Sequence, residues 1–238
     1  RKAAVSPHKN DVRDAEHILD LLLSGRFPCV QKRSSQAQVV LGWLNYRDSL
    51  VRNRTAIANQ LQSMARNFGL SRFSMKSKAA KAKFEMEKRS EAERFLVNSR
   101  FTIFEKLSEE IKEVEKRLQT IAETEESTKL LLTHPGIGTL TALAVVHTLG
   151  DVSRFRGKEQ VTAFVGLAPL DKSSGEKKRI GQISKHGSRL VRFLLGQSAQ
   201  KSSDQRLREF YLQVSRRRGK PKAKVAAARK LLERCYLM

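Results

Sequence analysis

The chain has 238 residues, of which 47 are Lys or Arg and 24 are Asp or Glu, and its net charge is +23. This length permits one sizeable core or two modest domains, and the charge predicts a polyanionic partner, most simply nucleic acid. The sequence has no apolar run of the ~18 residues that span a membrane, and Cys29 and Cys235 have no disulfide or metal spacing, so we expect a reduced, cytoplasmic protein.

The first elements are predicted to be two helices and a linker. Pro7 to Leu23 is typical of a loop entering a helix, with Asn10 as the cap and Gly25 after the end. A long helix is predicted from Gln36 to Phe68. Residues 71–83 are polar and basic, and they are interpreted as a linker or mobile loop.

A heptad pattern occupies the acidic middle of the chain. Its apolar positions are Phe104, Leu107, Ile111, Val114, Leu118 and Ile121. This spacing predicts a coiled coil. Three heptads fit a dimer and a two-helix hairpin with the preceding helix equally well, and an ordinary amphipathic helix is the simpler alternative.

The segment Pro135-Gly136-Ile137-Gly138 joins two apolar runs of helical character. Two glycines in a tight turn that opens a helix leave backbone amides accessible, and amides at a helix N-terminus suit a phosphate oxygen. The pattern is typical of a helix-hairpin-helix element that binds a nucleic-acid backbone through Gly136, Ile137 and Gly138. A sharp interhelical turn without a ligand is the alternative.

The remainder of the chain is predicted to be helical, with almost no strand signal, so the fold class is mainly α. The predicted helices are 139–149, 155–167, 188–202, 204–217 and 222–237, and residues 171–187 are predicted to be a loop.

Positive charge is concentrated near the C-terminus. Residues 171–230 hold 18 basic and four acidic residues, whereas residues 85–126 hold eight basic and 12 acidic ones. The candidate phosphate-binding side chains are Lys177, Lys178, Arg179, Lys185, Arg189 and Arg192. A solvated charged surface is the alternative for them, and the run 216–222 is either a further contact or a flexible, soluble turn.

Two other groups carry possible chemistry. Asp11 and Asp14 lie three residues apart on one predicted helix face, where two carboxylates can share a divalent cation, although acids in a first helical turn usually just offset the dipole. Ser173-Ser174-Gly175 in a basic loop could present a nucleophilic serine, and an ordinary Ser-Gly turn is the alternative. The five histidines show no ligand spacing.

These landmarks, taken in order, resemble the insertion-sequence transposases of the DEDD type, which are related to the Piv DNA invertase. Residues 9–15 resemble that family's Lys-x-Asp-x-x-Asp-Ala segment, and Val51–Leu70 resembles the helix that follows it. The segments that resemble its C-terminal domain are 134–142, 151–155, 165–169, 174–177, 185–192, 219–222 and 229–231. The ordered set is far more specific than any one motif.

The resemblance implies three parts: residues 1–35 as the end of an RNase H-like (RuvC-like) domain, 36–127 as a helical coiled-coil region, and 128–238 as a transposase domain. It implies that Asp11 and Asp14 bind Mg²⁺ with two further acids, and that Ser174 attacks the DNA phosphate. It also implies DNA (element ends and target), a structured guide RNA and further copies of the chain as partners, in the nucleoid of a prokaryotic cytoplasm.

The sequence departs from this family in one respect, because the family's first two acids lie upstream of Lys9 and the chain begins at Arg1. Two acids cannot align a metal ion and a phosphate as four do. We therefore expect an N-terminally incomplete chain that binds DNA but does not recombine it. A non-catalytic nucleic-acid-binding protein and a coiled-coil interaction protein are the competing functions.

Overall fold

The computed structural model describes residues 11–27, 32–71, 74, 79–85, 90–171 and 180–238. These residues are mainly helical, as predicted, and contain ten α-helices and two short strands. The chain divides into two compact units, Arg1–Ser34 and Ser35–Met238. Within the part that the structure describes, no helix has the length and apolar character needed to cross a membrane.

The described helix of the first unit is α1 (Asp11–Leu23). It ends as predicted at Gly25, whose φ of +62° is in the left-handed region favoured by glycine. Its apolar side chains are exposed: Ile18, Leu19, Leu22 and Leu23. The predicted cap, Asn10, lies outside the described residues.

The second unit begins with an antiparallel pair of long helices, α2 (Ser35–Asn67) and α4 (Glu91–Thr124). Arg47 Nε donates a hydrogen bond to Glu115 Oε1 over 2.9 Å, and Arg100 Nε donates to Gln60 Oε1 over 3.2 Å. The buried heptad positions are Phe104, Ile111, Val114 and Leu118. The heptad pattern therefore describes a hairpin of two helices within one chain.

The predicted linker at 71–83 is wrong in its second half, because helix α3 (Ala79–Glu85) occupies it. Ala80 and Phe84, one helical turn apart, are both buried. The Phe84 ring lies edge-on to that of Phe101 on α4, with 5.5 Å between ring centroids. Tertiary packing of these two apolar residues thus outweighs the polar composition around them.

The remaining elements complete the second unit. They are α5 (Glu126–Leu132), α6 (Thr139–Leu149), a short 3-10 helix (Val152–Arg154), α7 (Lys158–Val165), β1 (Pro169–Asp171), β2 (Ile180–Ile183), α8 (Arg189–Lys201), α9 (Gln205–Arg218) and α10 (Lys220–Leu237). One hydrophobic core joins α2 and α4 to these helices, with α6 nearly surrounded by it. The three-part division at 35/36 and 127/128 stays a prediction.

Two details of the C-terminal prediction are wrong. Residues 171–187 are not all loop, since β1 and β2 pair antiparallel, with Pro169 opposite Ile183. The helix predicted over 155–167 is shorter at both ends, because Gly157 precedes its first turn and Gly166, with φ of +80°, ends it. Two short strands give too few alternating positions for a pattern to stand out.

The basic run 216–222 is helical and not an open turn. α9 and α10 meet at a single residue, Gly219, whose φ is +83°. Its N–H donates to Ser215 O over 2.9 Å. The two helices therefore form a corner with almost no connecting loop.

Candidate nucleic-acid interface

The turn between α5 and α6 spans residues 133–138 and is fixed to the core at one point. Ile137 is buried, and its N–H donates to the carbonyl of His134 over 3.1 Å. Gly138 is the residue that immediately precedes α6. Burial of Ile137 therefore holds the backbone on either side of it at the surface in one conformation.

Gly136 is required by the fold. Its φ is +101°, and a Cβ built there would lie 2.5 Å from Cβ of Ser202, which is closer than real Cβ atoms approach. The Ser202 hydroxyl donates to the carbonyl of Pro135 over 2.6 Å. The absence of a side chain at Gly136 lets the turn contact the end of α8.

Gly138 is different, because nothing in the fold explains its lack of a side chain. It is exposed, its φ is −99°, and a Cβ there would meet no atom within 4 Å. Any residue type fits that space and that backbone conformation. Its smallness leaves room at the start of α6 for a molecule that approaches from outside.

The start of α6 has the electrostatics of an anion site. No side chain caps it, and no acidic residue lies in its first turn. In the described part of the chain, the N–H groups of Gly138, Thr139 and Leu140 donate no hydrogen bond. Free amides at the positive end of a helix suit a phosphate oxygen.

Neighbouring side chains support this turn. The Thr139 hydroxyl donates to Gln119 Oε1 on α4 over 2.7 Å, which fixes the first residue of α6 to the long hairpin. On the other side, His134 and Arg206 line an open cleft of about 790 Å³. Asp204 in that cleft pairs with Arg234 over 2.9 Å, so its negative charge is balanced.

The other predicted site residues of the C-terminal part fall into three groups: two exposed cations, five residues outside the described ranges, and the half-buried Arg192. Lys185 and Arg189 are exposed at and near the segment that connects β2 to α8, and Lys185 has a φ of +60°. Five further candidates, which precede β2 in sequence, lie outside the described residues: Ser173, Ser174, Lys177, Lys178 and Arg179.

Arg192 has a structural role, because one nitrogen of its guanidinium group donates hydrogen bonds to two backbone carbonyls. It is half-buried, and its Nη1 donates to Gly187 O over 2.6 Å and to Val165 O over 3.0 Å. Burial, followed by the nearby charge of Arg189, lowers the pKa of Arg192. Gly187 and Gly166 pack backbone to backbone beneath it, since a Cβ on Gly166 would lie 2.8 Å from Gly187 N.

Asp11 and Asp14 lie in the exposed first turn of α1, in the first compact unit. Their carboxylate oxygens are the ligand type that Mg²⁺ prefers. Among the described residues, however, no group of three His, Cys, Asp or Glu side chains comes together as a metal site. The two acids are chemically suitable, and a complete site needs ligands beyond them.

Sequence reasoning missed two features of this interface. It treated Gly136 and Gly138 alike, although only the fold reveals that Ser202 requires the first of them. It also missed the hydrogen bond from Ser202, the residue that follows α8, to the carbonyl of Pro135. No local pattern could relate two residues that are 67 positions apart.

These features define a strongly basic, mainly helical protein with an uncapped helix start suited to an anion. Comparison with known proteins matches part of this chain to one family. Residues 128–212 match the sequence profile of the transposase IS116/IS110/IS902 family.

Two transposases illustrate the similarity. The chain is 32% identical over 203 residues to the transposase for insertion sequence element IS1111A of Coxiella burnetii, covering 82% of this chain and 55% of that protein. It is 31% identical over 198 residues to the transposase for insertion sequence element IS1328 of Yersinia enterocolitica, covering 82% and 59%. The chain thus spans little more than half the length of these relatives.

Proposed function

We propose that this chain acts on DNA as an insertion-sequence transposase of the DEDD or Piv type, and that its α5–α6 turn binds the nucleic-acid backbone as a helix-hairpin-helix element. The observation that carries the proposal is the open start of α6, where free amides lie beside an exposed glycine without a structural role. The similarity to named transposases supports it, since the turn lies within the matched segment.

The proposed reaction uses Ser174 as the nucleophile. Its Oγ forms a bond to a DNA phosphorus, and the bond from that phosphorus to a sugar oxygen breaks. The serine proton leaves to solvent or a nearby base, and the released sugar oxygen takes up a proton. Lys185 and Arg189 neutralise the phosphate, together with Lys177, Lys178 and Arg179.

Asp11 and Asp14 would hold Mg²⁺ with two further acids of an RNase H-like site, and the ion would polarise the phosphate oxygens. In this proposal the two carboxylates act only as ligands, because they are exposed groups in a first helical turn. The resemblance adds a structured guide RNA and further copies of the chain as partners.

A non-catalytic nucleic-acid-binding protein is the second candidate. It is favoured by the fact that the described candidate contacts, the open start of α6 and the exposed cations Lys185 and Arg189, need no acid and no serine. Both candidates require the same backbone contact, so the first test addresses that contact.

The test compares duplex DNA binding by the unaltered chain, Gly138→Val and Gly42→Val. A Cβ at position 138 would meet no atom within 4 Å, so we expect valine to fit there and to cover the amides of α6. Gly42 in α2 also has nothing within 4 Å of a built Cβ, so Gly42→Val is a matched control. Thermal unfolding of all three establishes that they are folded.

We expect Gly138→Val to bind at least ~10-fold more weakly, which corresponds to losing about 1.4 kcal/mol of contact, while Gly42→Val binds as the unaltered chain does. Equal affinity of all three proteins would overturn the proposed role of the turn. Loss of affinity in both variants would also contradict it, because the effect would not be local.

A further inference from the structure

The corner between α9 and α10 carries a dense cluster of positive charge. Five exposed cations lie within seven residues: Arg216, Arg217, Arg218, Lys220 and Lys222. In the described part of the chain, no acidic side chain lies within 4 Å of any of them, whereas Arg229 and Arg234 further along α10 are both paired. These five charges, called the basic corner below, are not balanced by any acidic side chain in the residues that the structure describes.

The basic corner is held in place by the core. Leu207 of α9 and Ala223, Ala227 and Leu231 of α10 are fully buried. Lys224 packs its side chain over Gly196 of α8, where a Cβ would lie 2.7 Å from the lysine Cε. The five cations therefore project from a folded scaffold, and binding does not have to order the backbone that carries them.

The fold gains little from this charge. Arginines in the last turn of α9 favour its negative end, but Lys220 and Lys222 stand in the first turn of α10, where the dipole favours acids. No acid occupies that first turn. Repulsion among the five cations adds to this cost, so a role outside the fold accounts for them better than stability does.

The basic corner is structurally connected to the open start of α6. Ser202, which precedes α9, donates a hydrogen bond to the carbonyl of Pro135 in the α5–α6 turn. Two residues later, Asp204 caps the start of α9. α9 has 14 residues, which at 1.5 Å per residue span about 21 Å. This helix length corresponds to about six base pairs of a duplex at 3.4 Å each.

We propose that the basic corner is a second contact for the phosphate backbone of a nucleic-acid duplex, and that α9 sets its distance from the first contact at the start of α6. The proposal rests on the proposed function, which provides the first contact. The shared chemistry is a phosphodiester backbone, which duplex DNA and duplex RNA both offer.

The test measures how affinity depends on salt for a DNA duplex and an RNA duplex of the same length. The first variant is Arg216→Gln, Arg217→Gln, Arg218→Gln, and the second is Lys220→Gln, Lys222→Gln. The control for the first is Lys106→Gln, Lys112→Gln, Lys116→Gln, which removes three exposed α4 charges. The second variant relieves repulsion at the start of α10, so its unfolding temperature should not fall.

Each phosphate contact contributes about 0.9 to the slope of log affinity against log salt. We expect the magnitude of this slope to fall by about 2 to 3 in the triple arginine variant and by about 1 to 2 in the double lysine variant. The α4 control should keep the slope of the unaltered chain. Loss with DNA alone or RNA alone identifies which duplex occupies the corner.

If both corner variants keep the slope with both duplexes, or lose no more than the α4 control, the inference is overturned although the proposed function stands. If the unaltered chain binds neither duplex, the proposed function fails first and the inference fails with it.

Discussion

The Ser202 hydroxyl donates a hydrogen bond to the carbonyl of Pro135 over 2.6 Å and accepts one from the N–H of Asp204 over 3.2 Å. This one side chain therefore joins the α5–α6 turn to the start of α9. The contact is close enough to exclude a Cβ at Gly136. It makes the position of the candidate phosphate-binding amides depend on the C-terminal helices.

The first prediction concerns Gly136. Gly136→Ala should lower the free energy of unfolding by about 1–3 kcal/mol. Alanine is strained at a φ of +101°, and its Cβ would overlap Ser202. Gly138→Ala should change it by less than about 1 kcal/mol. Chemical denaturation measures both, and an equal loss in the two variants would show that the turn does not pack as described.

The second prediction separates structure from binding at two neighbouring arginines. Arg192→Ala should cost about 1.5–3 kcal/mol of stability, because two half-buried backbone carbonyls lose a charged donor. Arg189→Ala, at an exposed position, should change stability little and weaken DNA binding instead. A stable Arg192→Ala protein would contradict the structural role assigned to that side chain.

The third prediction concerns pH. His147 is buried on α6, and its Nε2 lies 3.2 Å from Glu125 Oε2 without hydrogen-bonding geometry. Burial lowers the pKa of His147, although the Glu125 carboxylate opposes this change. The unfolded chain therefore takes up this proton first, so the free energy of unfolding should fall as the pH drops below about 6.5.

The His147 contribution can be isolated by substitution. His147→Gln should flatten the pH dependence of unfolding between about pH 7 and 5, by up to about 1.4 kcal/mol per pH unit. A His147→Gln protein whose stability follows the same pH curve as the unaltered chain would refute the assignment.

The fourth prediction concerns the nucleophile. Any covalent adduct that the chain forms with nicked DNA and Mg²⁺ should disappear in Ser174→Ala and persist in Ser173→Ala, while both variants still bind DNA. Denaturing gel electrophoresis of labelled DNA detects the adduct. An adduct that survives in Ser174→Ala would assign the chemistry to Ser173 or to another group.

Sequence patterns located most helices because their signals are local. The long helix α2 ends before Gly69 as predicted, and four of the six heptad positions of α4 are buried. The pattern could not choose between a dimer and a hairpin, since the same apolar stripe serves either partner. α3 was missed because its two buried residues, Ala80 and Phe84, are too few to produce a periodic signal.

The candidate site was less accessible to sequence reasoning for a similar physical reason. The glycine pair and the helix start were visible, but the different roles of Gly136 and Gly138 depend on Ser202, which is distant in the chain. The basic corner was visible as composition, whereas its helical geometry depends on the packing of α9 against α10.

The central claim is that the chain binds a nucleic-acid backbone electrostatically, and the salt dependence of duplex DNA binding by the unaltered protein tests it most directly. If about 6–10 phosphates are neutralised, affinity should fall roughly 10³–10⁵-fold between about 50 and 200 mM salt. An affinity that is independent of salt over this range, or the absence of binding at the lower concentration, would contradict the account.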